Sequence, residues 1–255
     1  MDTGNQSSKR GHSSEPDQGD GRGPRFRHSP GRAGRLGRAA AVGAGLVLVA
    51  AVFAVQPFLI PSGSMENTLR VGDRVLVNKL AYRLGGSPSR GDVVVFDGAG
   101  SFDPVRDPSD PVSRVLRGAG SAVGLVEPGE TDYVKRVIGV GGDRVTCCDR
   151  RGRITVNGTP VTEAYLYPGD TPSRVPFDIV VPDGRLWMMG DHRDRSRDSR
   201  DHLGEAGGGM VPVERVVGRV DWIGWPYGRW TALQRPAAFA SVPGSGAGAV
   251  GGEHG

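Results

Sequence analysis

Three stretches of this chain carry side chains that could share a hydrolytic step. The first, Pro61-Ser62-Gly63-Ser64-Met65-Glu66-Asn67-Thr68-Leu69, directly follows an apolar run. Its serines become nucleophiles only where a base removes the hydroxyl proton; a lone loop serine is ordinarily a solvated turn residue. Five histidines are available as bases. His12 and His28 lie in a polar leader and His254 in the tail, which leaves His192 and His202 in an Arg/Asp-rich stretch. A Ser-His-Asp set built on His192 is one reading. The other takes Lys135 as the base.

For Lys135 to accept a proton it must be neutral near working pH. An unperturbed lysine titrates near about 10.4, and each unit of depression is about 1.4 kcal/mol, so reaching about 8 requires about 3 kcal/mol of hostile surroundings. In Tyr133-Val134-Lys135-Arg136-Val137-Ile138 a period of two sets Lys135 with Tyr133 and Val137 on an apolar side, and Arg136 opposite. Without such a setting a lysine buries its stem and keeps its head in water.

The third stretch, Gly190-Asp191-His192-Arg193-Asp194-Arg195-Ser196-Arg197-Asp198-Ser199-Arg200, is too charged to be buried unless its acids and arginines pair. A solvated loop is the default for this composition. A metal site is disfavoured, because arginines between the ligands would crowd the ion with cations. His192-Arg193-Asp194 also matches the start of a kinase catalytic loop, but Ser199 stands where that motif needs asparagine and no Gly-rich nucleotide loop precedes a strand lysine, so phosphoryl transfer is rejected. Cys147 and Cys148 are adjacent and the chain has no others. Two neighbouring thiols cannot make a zinc site, and an oxidising compartment would permit them to be oxidised. They receive no catalytic role.

The elements around these stretches fall into three zones. Residues 1–38 hold the whole net charge of +4 and almost no aliphatic side chains, and read as a disordered basic leader. Residues 39–60 carry no charge, and at 1.5 Å per residue roughly 20 residues cross a bilayer, so they read as a transmembrane anchor helix. A cleaved signal peptide ending near Ala54 is the competing reading. Arg32, Arg35 and Arg38 precede the run and the next basic residue is Arg70, which puts the N-terminus in the cytoplasm and everything after Ile60 outside.

Residues 61–235 read as an antiparallel, β-rich domain. Arg74-Val75-Leu76-Val77-Asn78, Asp92-Val93-Val94-Val95-Phe96, the Lys135 stretch and Arg215-Val216-Val217-Gly218-Arg219-Val220 are short, β-branched and bounded by Gly, Asp or Pro. The expected fold is mainly β, a sheet or barrel-like catalytic domain behind an N-terminal transmembrane helix. Residues 97–132 break the strand pattern and read as an insertion, and residues 236–255 as a frayed tail. Beyond the leader the signs balance, which argues against a nucleic-acid-binding domain.

Taken in order, Pro61-Ser62-Gly63-Ser64-Met65, Arg90-Gly91-Asp92-Val93-Val94-Val95-Phe96, Tyr133-Val134-Lys135-Arg136-Val137-Ile138-Gly139 and the stretch from Gly190-Asp191 to Arg200 resemble the four sequence boxes of bacterial type I signal peptidases. The resemblance covers roughly residues 39–225, and the Gly- and Arg-rich composition looks like an actinobacterial member. It implies a membrane-anchored serine endopeptidase with a Ser/Lys dyad and no metal, nucleotide or other cofactor. Ser64 would be the nucleophile and Lys135 the general base, with the Ser62 hydroxyl and the Ser64 N–H as oxyanion donors. Ser196 would orient the lysine amine, and Asp198 and Arg200, with Arg136, would hold the charged loop by ion pairing. Phe58, Leu59, Ile60, Met65, Leu69 and Val134 would line shallow pockets for the small residues of Ala-x-Ala signal peptides. The implied partners are preproteins and the lipid bilayer.

Two positions depart from the family pattern. His192 stands where asparagine is usual, and Asn67 where proline is usual. Neither supplies nucleophile or base, although His192 would add a titration of its own. Two further readings compete: a self-cleaving Ser/Lys peptidase of the repressor type, which the apolar run disfavours, and a silent membrane-tethered binding module, which intact Ser64, Lys135 and Ser196 disfavour.

Overall fold

The structure is a computed structural model describing residues 37–43, 45, 54–83, 85–103, 131–205 and 207–244. Residues 37–43 are helical, and no helix among the described residues is long and apolar enough to cross a membrane. Residues 46–53, in the middle of the expected anchor, lie outside the described residues, as do most of the leader and residues 104–130 of the expected insertion.

Among the described residues, twelve strands build two antiparallel sheets. In chain order they are β1 (Val55–Leu59), β2 (Arg74–Asn78), β3 (Val93–Asp97), β4 (Asp132–Val140), β5 (Arg144–Cys147), β6 (Thr155–Val156), β7 (Thr159–Pro160), β8 (Phe177–Val180), β9 (Arg185–Met189), β10 (Val211–Pro212), β11 (Val216–Trp225) and β12 (Thr231–Ala232). The larger sheet runs β1-β2-β11-β3-β4-β9-β10, with β12 on β11; the smaller runs β7-β6-β5-β8. The larger order starts at β1 and stops at β10 without a pairing between them, so the described sheet is open where a barrel-like form was expected. The four stretches expected as strands are β2, β3, β4 and β11, each within a few residues of the expected bounds.

The end of the apolar run differs from expectation. Val55–Leu59 is a strand, not the last turns of an anchor, and it pairs along its whole length with β2. The reason is its alternation: Gln56 and Phe58 face inward while Val55, Pro57 and Leu59 face out, a period of two that suits a sheet edge. Gln56, which interrupts the run, is buried and accepts a hydrogen bond from Lys79 Nζ at 3.2 Å.

The chain also stays packed past residue 235. Phe239 and Val242 are buried in the cluster that holds Tyr165, Trp187 and Ile154, and Arg90 donates to the Val242 carbonyl. The start of the expected insertion is packed too: Phe102 is buried between Phe96 and Tyr133, and Ser101 donates to the Met210 carbonyl. Cys147 and Cys148 are joined as a disulfide at the end of β5.

A second cluster beneath β1, β2 and β11 sets the site. Phe58, Ile60, Met65, Leu69, Val75 and Ile223 pack in it, so both flanks of Ser64 are anchored in core. Ile60 N–H donates to Asp73 and Gly72 N–H to Ile60, closing the connection between β1 and β2.

Candidate active site

Ser64 sits in the middle of a single 3-10 turn, Gly63–Met65, in the loop joining β1 to β2. Met65 is buried in the core below it, and the Leu69 N–H donates to the Met65 carbonyl, so the turn is pinned from its own C-terminal side. Lys135 reaches it from β4, whose neighbours β3 and β9 hold it in the middle of the larger sheet. The Lys135 side-chain nitrogen Nζ lies 2.7 Å from Ser64 Oγ. Among the described residues no histidine takes that place: His192 stacks flat on Tyr167 at 3.9 Å between ring centres and faces Glu66 and Asp170.

Lys135 is 4% exposed. Burial pushes its amine down to about 8, and this outweighs Asp198 and Asp191, which favour the charged form. A lysine in that range divides between its two forms near neutral to mildly alkaline pH, the requirement for a general base.

The charged stretch is buried by pairing within itself and with its neighbours. Arg136, opposite Lys135 on β4, donates to Asp191 at 2.8 and 2.6 Å, to the Gly91 carbonyl and to Thr68, and its guanidinium lies 4.1 Å from the centre of the Tyr165 ring. Its partner is therefore Asp191 rather than Asp198 and Arg200, which pair with each other. Burial alone would raise the Asp198 carboxyl, but the Arg200 hydrogen bond and charge and the Gly190 N–H hold it below the usual value. Arg193 is tied to Glu163, the Pro172 carbonyl and the Gly190 carbonyl. Thr68, Glu163 and Asp191 were not singled out from sequence as partners; for Asp191, the neighbouring arginine-rich run was the available signal.

Ser196 is buried, and among the described residues its Oγ has no hydrogen-bond partner at standard geometry, Lys135 included. Its place is shown by Gly190: a Cβ there would lie 2.2 Å from Ser196 Oγ and 2.5 Å from the Ser64 carbonyl oxygen. Only a glycine lets the charged loop approach the nucleophile turn this closely, and the His192 N–H donates to that same Ser64 carbonyl at 3.1 Å.

A cavity of about 170 Å³ opens beside the pair, lined by Ile60, Pro61, Ser62, Ser64, Met65, Tyr133, Val134 and Lys135 among others. Ser62 is exposed, and its hydroxyl does not cap the 3-10 turn it precedes. Of the six expected pocket residues, Ile60, Met65 and Val134 reach this wall. Phe58 and Leu69 are instead core side chains behind it, because the inward positions of β1 and of the turn face the cluster. Leu59 is exposed on the opposite side of β1, in register through Arg74 with Trp225.

The family model described as signal peptidase, peptidase S26, matches residues 34–225. The chain belongs to that family. A probable signal peptidase I of Mycobacterium leprae is 40% identical over 220 residues, covering 75% of this chain and 75% of its own. Signal peptidase I of Mycobacterium tuberculosis is 42% identical over 212 residues, covering 74% and 71%. A solved signal peptidase I from Enterococcus faecalis aligns at 22% identity over 52% of this chain and 96% of its own, with a TM-score of 0.33, an overlap too low to bear on the fold. These relatives make this chain a type I signal peptidase with actinobacterial affinity, a serine hydrolase that cleaves signal peptides.

Proposed function

We propose that this signal peptidase works by a Ser64/Lys135 dyad, is held to the membrane by residues ahead of β1, and cuts after Ala-x-Ala. The observation that carries the reading is the 2.7 Å contact between Ser64 Oγ and a buried amine whose proton is weakened to about 8. Neutral Lys135 takes the Ser64 proton as Oγ attacks the scissile carbonyl. The resulting oxyanion is held by the Ser62 hydroxyl and the Ser64 N–H. Lys135, now an ammonium, protonates the leaving amine as the C–N bond breaks. Water then attacks the acyl-enzyme, giving its proton to Lys135, and Ser64 is restored.

Substrate geometry follows from the sheet. β4 is flanked by β9 only from Arg136 onward, so around Val134 it has β3 on one side alone. An extended peptide adding there would present alternate side chains to the cavity, whose small size favours alanine over bulk. The expected result is cleavage of an Ala-x-Ala preprotein by the native chain, its loss in Ser64→Ala, and a fall in kcat of about 10²- to 10³-fold in Ser62→Ala with little change in KM. Native activity no greater than that of Ser64→Ala would overturn the dyad.

Membrane placement has its own support. Trp222, Trp225, Tyr227 and Trp230 are all exposed near the end of β11, with the Trp225 and Tyr227 rings 4.8 Å apart. Indole and phenol rings favour the bilayer interface. In vesicles of brominated lipid, emission of the full chain should be strongly quenched, leaving mainly buried Trp187; Trp225→Ser with Trp230→Ser should remove most of that quenching. Emission unaffected by bromine would place these rings in water.

A further inference from the structure

A second cleft, about 410 Å³ in volume, is lined by Glu66, Asn67, Arg70, Val71, Tyr167 and Pro168. From the nucleophile segment the dyad cavity takes residues 60–62, 64 and 65, and this cleft takes Glu66, Asn67, Arg70 and Val71 just beyond them. A polypeptide cut in its middle has chain on both sides of the scissile bond. We propose that this cleft receives the first residues of the mature chain, and that Glu66 and Tyr167 favour a cationic side chain there over an acidic one. The assignment rests on the cleavage reading above.

Four features argue for it. The Glu66 carboxyl folds back over the turn: its carbon and both oxygens lie 3.2 to 3.3 Å from where a Cβ on Gly63 would be. The acid thus bridges the cleft and the residue next to the nucleophile. Asn67 donates to the Leu166 carbonyl, which ties the two walls together and keeps the cleft at a set width. Tyr167 has one ring face covered by His192 and remains 38% exposed, so it offers an aromatic surface beside a carboxylate, a pairing that suits a cation. His192 is 7% exposed, and its Nδ1, 3.5 Å from Glu66 Oε2, has no hydrogen-bond partner among the described residues.

The charges near the cleft do not cancel. Asp170, on the far side of the His192 ring, adds a second carboxylate at 4.0 Å from Nε2. Arg70 is the opposing charge, but it is exposed on the rim, where water and salt weaken it.

The test uses the full chain and peptides sharing one Ala-x-Ala sequence, with Lys, Gln or Glu at the first or second position after the cut. In the native protein kcat/KM should favour Lys over Glu by about tenfold at one of these positions, the combined effect of a partly screened ion pair and an aromatic contact. Glu66→Gln should bring the ratio below about threefold and Glu66→Lys should invert it, while discrimination of Ala against Val before the cut is unchanged. A native ratio near one, or one that neither substitution moves, overturns the cleft assignment and leaves the cleavage reading standing. Failure of the native chain to cut any of the peptides overturns both.

Discussion

Lys135→Arg and Lys135→Met are expected to lower kcat by about 10²- to 10⁴-fold while leaving the chain folded. Arginine keeps its proton at any working pH, so it fails for a chemical reason and methionine for lack of any base. The two should nevertheless part in stability. The Lys135 amine titrates at about 8 when folded, against 10.5 for the ordinary side chain. Between those values the unfolded chain binds more protons than the folded one, so stability rises with pH across that window. The burden on folding is full below about pH 8 and gone above about 10.5, and its size is about 3 kcal/mol. Methionine removes the charge, though it also loses the contact to Ser64. Lys135→Met should therefore be more stable than the native chain by about 1 to 3 kcal/mol at neutral pH, with the gap closing toward pH 10.5. Denaturant unfolding at several pH values reads this directly. Equal stability at all pH values would mean that the amine is hydrated. A trade of stability for function at this one side chain is the pattern expected of an active site.

Gly190→Ala is the second large effect. Real Cβ atoms essentially never approach other heavy atoms within 3.0 Å, yet the added methyl would lie 2.2 Å from Ser196 Oγ and 2.5 Å from the Ser64 carbonyl oxygen. A serine side chain can rotate; the carbonyl belongs to the backbone of the nucleophile turn and cannot. Either the turn or the loop must shift, and a displacement of roughly 1 Å at the reacting groups costs about 10²-fold. The expected outcome is a fall in kcat of at least about 10²-fold, with KM much less affected. Gly204→Ala is the control, since a Cβ there meets nothing within 4 Å. Native kcat in Gly190→Ala would show that the two segments do not meet as described.

These two residues show what could be read before the fold was known. Lys135 stood out because a short β-branched stretch places it among apolar neighbours, and that pattern is local. The strands β2, β3, β4 and β11 were legible for the same reason. The pairing of Arg136 with Asp191 was not: the two are far apart in sequence, and several acids nearby offered equally plausible partners. Glu163 was missed because its role comes from Arg193 and the Tyr165 hydroxyl closing on it in the fold.

The apolar run was misread at its end because an uncharged stretch satisfies two solutions at once. Val55–Leu59 is apolar enough for lipid, yet its alternation and the proximity of β2 make it a strand. Phe58 and Leu69 followed the same logic in reverse. The family pattern assigns both to pocket walls, whereas here the core beneath the turn takes them. Phe239 and Val242, sparse in a Gly/Ala-rich tail, gave too little periodicity to predict that they would pack.

The most direct test is a titration of the Lys135 amine by NMR in the full chain, with selectively labelled lysine and Lys135→Met to assign the resonance. A midpoint near 8, accompanied by kcat/KM in the native protein rising with pH through the same value, is the predicted result. A midpoint at or above about 10, with activity already at its plateau well below it, would contradict the role given to this side chain.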